Sequence, residues 1–185
     1  MTDIYGEKNM LNNGDILIYK GSRYNENGAV KFLNTIISYF QENSNIGDFV
    51  HATIVIDAAS LLIVEATMPV VKSNNLNITN FIENEISYFS VLNATKQDID
   101  IACATALTFK NIPYDWLSLF GLLYTNSRHA LYCTRLVCKC YPQLWSKFKT
   151  DKLISPDELI LSGLLSYKGN LSREILPDYY KNIPL

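Results

Sequence analysis

The sequence predicts an α+β fold, with an antiparallel sheet built first and helices following. Three observations carry this. Short apolar runs bounded by turn formers fill the first half: Ile16 to Tyr19, His51 to Asp57, Leu61 to Ala66 and Ile86 to Val91. Helix capping signatures and helical periodicity take over after Thr95. No internal repeat, low-complexity tract or linker divides the chain. Its 185 residues therefore read as one domain, with a core over about 14–165 and a polar C-terminal tail over 166–185.

The elements follow in order. Residues 1–13 are a loose lead-in. Gly14-Asp15 is a turn with a local side-chain hydrogen bond, and it opens the buried strand Ile16-Leu17-Ile18-Tyr19. From Gly28 to Phe40, Val30, Leu33, Ile37 and Phe40 fall at helical spacing. The surrounding segment 22–48 is expected to form a lid or a substrate wall. His51–Asp57 and Leu61–Ala66 pair as an antiparallel hairpin around Ala58-Ala59-Ser60, which sets His51 opposite Glu65 or Ala66. A slip of one residue would turn Glu65 to the other face. Val70-Val71-Lys72 and Ile86–Val91 are further strands, with a polar, turn-like stretch from Asn74 to Asn84 between them. Thr95, with Asp98 three residues on, caps a helix running to about Lys110. Trp116 to Leu123 is a second apolar segment. Ser155-Pro156-Asp157-Glu158 starts a last helix, reaching about Leu164.

Composition narrows the function classes. Hydrophobic residues make up 48% and charged residues 18%, which is globular and not disordered. Net charge is -2 with no basic block, so no nucleic-acid partner is expected. No apolar run is long enough to span a bilayer, so no transmembrane segment is expected. Met1 to Asn13 lacks the apolar core of a Sec-type signal peptide. Three of the four cysteines crowd between Cys133 and Cys140, unlike a secreted disulfide framework. A cytoplasmic location follows as the expectation, with a viral protein or an effector delivered by another route also fitting.

The chemistry concentrates at Leu131-Tyr132-Cys133-Thr134-Arg135-Leu136-Val137-Cys138-Lys139-Cys140-Tyr141. Leu136, Val137, Cys140 and Tyr141 follow Cys133 at helical spacing, and Pro142 ends the run. Cys133 thus stands at a helix start, facing unpaired N–H groups and the positive end of the dipole. Both favour a thiolate, and so a nucleophile. The competing reading is a small buried hydrophobe. His51 at a strand start and Glu65 on the adjacent strand complete a three-part hypothesis: Cys133 attacks, His51 exchanges the proton, and Glu65 orients His51. The Cys133 backbone N–H at the helix start would help bind an oxyanion, with the Tyr19 hydroxyl a weaker candidate. His129, in the polar loop four residues before Cys133, is a rival base. The spacing of Cys133, Cys138 and Cys140 does not match a metal-binding CxxC pair, so neither metal nor cofactor is expected. Tyr114-Asp115-Trp116 reads as core packing or cleft lining.

The order of these segments resembles a known family. Gly14-Asp15, His51-Ala52-Thr53-Ile54-Val55, Val64-Glu65-Ala66, Ile112-Pro113-Tyr114-Asp115, Tyr132-Cys133-Thr134-Arg135-Leu136-Val137 and Ser155-Pro156-Asp157-Glu158-Leu159 follow one another as in the circularly permuted NlpC/P60 group of papain-like cysteine hydrolases. The likeness is to the YiiX/YaeF branch, including its poxvirus members, where histidine precedes cysteine in the chain. The resemblance implies a permuted papain-like fold, with the sheet packed on the cysteine helix, and a Cys133–His51–Glu65 triad. It implies a thiol hydrolase, an amidase or peptidase, or an acyltransferase working through an acyl-enzyme. The substrate stays open among peptide, peptidoglycan and lipid. Thr134-Arg135 departs from the Ser-Glu that many members carry. The second reading is a catalytically inactive papain-like module that binds a partner, and the third is metal-linked or redox regulation through the clustered cysteines.

Overall fold

A computed structural model describes residues 10–20, 49–76, 86–115, 130–148 and 153–172. The expected helix at 28–40, the segment 22–48, the apolar segment 116–123 and His129 lie outside these residues. Six strands form one sheet: β1 (Ile16–Lys20), β2 (Phe49–Asp57), β3 (Leu62–Ala66), β4 (Val71–Asn75), β5 (Ile86–Val91) and β6 (Leu165–Asn170). Their order is β4-β3-β2-β1-β5-β6, and every neighbouring pair is antiparallel. The described helices are α1 (Lys96–Thr108), α2 (Cys133–Cys140), α3 (Pro142–Phe148) and α4 (Pro156–Ile160). The α+β architecture, with an antiparallel sheet packed against the cysteine helix, is as the sequence predicts.

Alternation along the strands separates two apolar clusters. Ile16, Ile18, Ala52, Ile54, Val64 and Ala66 face the helices, where Ala102, Ala106, Leu136, Val137 and Tyr141 close the main core. Leu17, Tyr19, Val55, Ile63, Ile86 and Tyr88 face the other way and cluster with Leu171. Each fully buried Leu or Ile contributes roughly 1.5–3 kcal/mol of transfer free energy, so both faces matter to stability. The burial of all but one residue of α2 explains why it leaves the sequence as an apolar face at helical spacing.

Caps and turns form where the sequence places them. Thr95 and Asp98 make a reciprocal capping box at α1, and Ser155 and Glu158 make another at α4. The Asp15 carboxylate accepts from the Asn12 N–H at 2.8 Å, which closes the Gly14-Asp15 turn. Tyr141 leaves the helical region at φ -116°, as expected before Pro142.

Four expectations need correction. The stretch 166–170 is strand β6, not tail; its few apolar side chains hid it, because an edge strand is held largely by backbone pairing. Strand β4 extends through Asn74 and Asn75, which read as turn residues by composition alone. A helix follows Pro142 at once, since proline suits the first position of a new helix. The last helix stops at Ile160 instead of about Leu164, and Gly163 takes a φ of +71° in the turn beyond it.

Candidate active site

Cys133 is the first residue of α2. Its preceding cap, Tyr132, is extended and offers no side-chain acceptor to the opening N–H groups. Those groups are therefore available to the sulfur, and the Thr134 amide bonds to it, as does the Ala52 amide from β2. Burial alone would push the thiol pKa up. The hydrogen bond and charge of His51, with the two amides, overcome this and hold it below the ordinary thiol value.

His51 sits on β2 opposite Tyr19 of β1, whose ring centroid is 5.5 Å from the imidazole at a tilt of 54°. Its Nε2 lies 3.0 Å from Glu65 Oε2, and its ring also hydrogen-bonds to Cys133. With Nε2 taken by the carboxylate, Nδ1 is the nitrogen left for the sulfur. Burial would lower the His51 pKa, but Cys133 and Glu65 together raise it to about 9. Cys133, His51 and Glu65 are only 6%, 7% and 5% exposed, so their mutual charges act with little screening.

The hairpin register differs from the expected one. Glu65 pairs directly with Thr53, not with His51, and His51 reaches it as a diagonal neighbour on the same face. The turn takes in Leu61 at φ +55°, and a bulge between Val55 and Asp57 shifts the pairing. The extra turn residue and the bulge offset each other, so Thr53 opposite Glu65 is the pairing that a three-residue turn at 58–60 gives, and the expected partner of His51 is a miscount. By alternation His51 and Glu65 share the Tyr19–Val55–Ile63 face, opposite the one on which α2 packs. The cysteine meets them where α2 begins, close to the Ala52 amide of β2.

Comparison with protein families gives one match. Residues 13–169 match the model of the permuted papain-like amidase enzymes, the YaeF/YiiX, C92 family. The chain belongs to this family. No curated protein matches it. In this chain the strand that carries His51 precedes the helix that carries Cys133.

Other motif segments of the chain support the helix start. The Tyr132 hydroxyl accepts from the Ile154 N–H at 3.2 Å, and the Thr134 hydroxyl donates to the Ile154 carbonyl. These bonds tie the lead-in to α4 against the first turn of α2. Tyr114 bridges to Leu131, which brings Asp115 to Arg135, with Nη1 3.6 Å from Oδ2. Both members of this ion pair are buried, and the Arg135 guanidinium lies 5.6 Å from the Tyr132 ring centroid. Tyr114 and Asp115 are thus support packed beneath the site. Burial raises the thiols of Cys138, to about 12, and of Cys140 further still, so they do not compete as thiolates. Among the described residues no group of three or more His, Cys, Asp and Glu side chains is placed to hold a metal ion.

Sequence reasoning missed Asn74 and Lys72, both of which reach Glu65 from β4. Their signal was alternation, since residues 72 and 74 share a face. The polar composition of the strand concealed it.

Proposed function

We propose that the protein hydrolyses an amide through an acyl-thioester on Cys133, with His51 as the proton carrier and Glu65 as its orienting carboxylate. The supporting observation is the continuous buried chain from the Cys133 sulfur through the His51 ring to Glu65 Oε2, closed at 3.0 Å. In the resting pair the proton resides on His51 and the sulfur is a thiolate. The thiolate attacks the carbonyl carbon, and the electron pair moves to the oxygen. N–H groups at the start of α2, that of Cys133 among them, supply an oxyanion site of the kind such intermediates need. The imidazolium then gives its proton to the departing amine, the C–N bond breaks, and the acyl group remains on sulfur. Neutral His51 next takes a proton from water, which attacks the thioester; the carboxylic acid leaves and the thiolate–imidazolium pair returns. Another nucleophile in place of water would make the same intermediate an acyl donor. Glu65 stays ionised throughout and holds the ring in one tautomer.

The test is a panel of N-acyl aminomethylcoumarins, spanning fatty-acyl and peptidyl groups, assayed with the parent and Cys133→Ala. The parent should release the fluorophore from part of the panel, and Cys133→Ala should lower kcat/KM by about 10³-fold or more. Rapid quenching should show a mass increase equal to the acyl group on Cys133. Hydrolysis that survives in Cys133→Ala would contradict the proposal. Binding of acyl compounds without turnover in either protein would favour a papain-like binding module.

A further inference from the structure

A carboxylate that orients an imidazole must itself be held, because the last torsion of a glutamate is broad. Here the two oxygens of Glu65 are divided between two strands. Oε2 faces His51 Nε2 at 3.0 Å. Oε1 accepts a hydrogen bond from Asn74 Nδ2 at 2.9 Å, and Lys72 Nζ lies 3.6 Å from the same oxygen. The register of β3 and β4 explains the gathering. Glu65 pairs with Lys72, and Ile63 pairs with Asn74, so Glu65, Lys72 and Asn74 project from one face. The Lys72 side chain is 47% exposed, so solvent screens its charge. Asn74 is half-buried and in full hydrogen-bond contact.

We infer that Asn74 is a positioning residue for the triad: its side-chain amide fixes the Glu65 carboxylate plane so that Oε2 meets His51. The inference rests on the catalytic reading of Cys133, His51 and Glu65. An amide suits the task. It donates a hydrogen bond without adding net charge, so it holds Glu65 and leaves the negative charge to stabilise the imidazolium. A cation held as closely would compete with His51 for that charge.

The test is a double-mutant cycle read as the rate constant for iodoacetamide alkylation of Cys133 at pH 6.5. The four proteins are the parent, Asn74→Ala, Glu65→Ala and the double variant. Asn74→Ala should slow alkylation about 3- to 10-fold in the parent and by less than about 2-fold when Glu65 is already alanine. Asn74 lies near the end of β4, the outermost strand among the described residues, so truncation spares the core. Asn74→Leu, of similar size and without a donor, should repeat the result. An equal loss in both backgrounds, no loss, or a gain in rate would overturn the assignment. If Glu65→Ala itself leaves the rate unchanged, the triad reading falls. If Glu65→Ala slows alkylation and Asn74→Ala adds independently, only the role of Asn74 falls.

Discussion

Two shifts in opposite directions describe the site at the scale of residues. His51 is raised from 6.5 to about 9, so the stability it contributes is complete below pH 6.5 and fades as pH rises through about 9. Cys133 is lowered from 9.0, so its contribution is complete above pH 9.0 and fades as pH falls through the depressed value. Between 6.5 and 9.0 the slopes oppose each other, because folding moves a proton from sulfur to nitrogen within one pair. Activity depends on the pair itself, so kcat/KM should follow a bell whose alkaline limb lies near pH 9. Cys133 and Glu65 both raise His51, and Glu65→Gln removes the second of these charges. It should move the alkaline limb to lower pH and reduce kcat by about 10²-fold. A pH–rate series on the best amide of the panel checks both, and an alkaline limb that stays put in Glu65→Gln would contradict the role given to Glu65.

Among the elements, the Gly14-Asp15 turn joins the strands to the cysteine helix. The Gly14 N–H donates to the Val55 carbonyl at 2.7 Å, and the Tyr141 hydroxyl, just past α2, donates to the Gly14 carbonyl at 2.6 Å. Gly14 holds φ at +81°, and a Cβ there would sit 2.5 Å from the Tyr141 hydroxyl and 2.8 Å from Ile99 Cγ2. Gly14→Ala should therefore destabilise the fold by about 1–3 kcal/mol, read by urea unfolding; unchanged stability would show that this join carries little. The turn, the capping boxes and the apolar face of α2 were legible because each is a pattern within a few residues. The Arg135–Asp115 pair and the hold of Asn74 on Glu65 were not. Their partners are brought together by tertiary pairing, which local periodicity does not encode. Strand β6 escaped notice for a related reason: its sequence, Leu-Ser-Tyr-Lys-Gly-Asn, carries little apolar alternation.

For the whole molecule, the sheet separates the parts of the site. His51 and Glu65 stand on one face and the cysteine helix packs on the other, so the thiolate depends on the start of α2 lying beside the Ala52 amide of β2. The three candidate residues rest on a helix-start cysteine, a strand-start histidine and an acid on the adjoining strand, and the structure brings them into contact. The sequence did not supply the diagonal contact, because His51 and Glu65 meet through the reach of their side chains from neighbouring register positions, which a pairing count does not show. A depressed thiol pKa should then be a property of the folded protein and not of the local sequence. The most direct measurement is the rate of iodoacetamide alkylation at Cys133 against pH, located by mass spectrometry. It would be made on the folded parent, on His51→Ala and on the parent in urea. The account predicts fast labelling of folded Cys133 well below pH 8, with the profile moving up toward about 8.5 in His51→Ala and in urea. If folded Cys133 titrates like a free thiol, or reacts only after unfolding, the thiolate–imidazolium pair does not exist and the proposed mechanism is wrong.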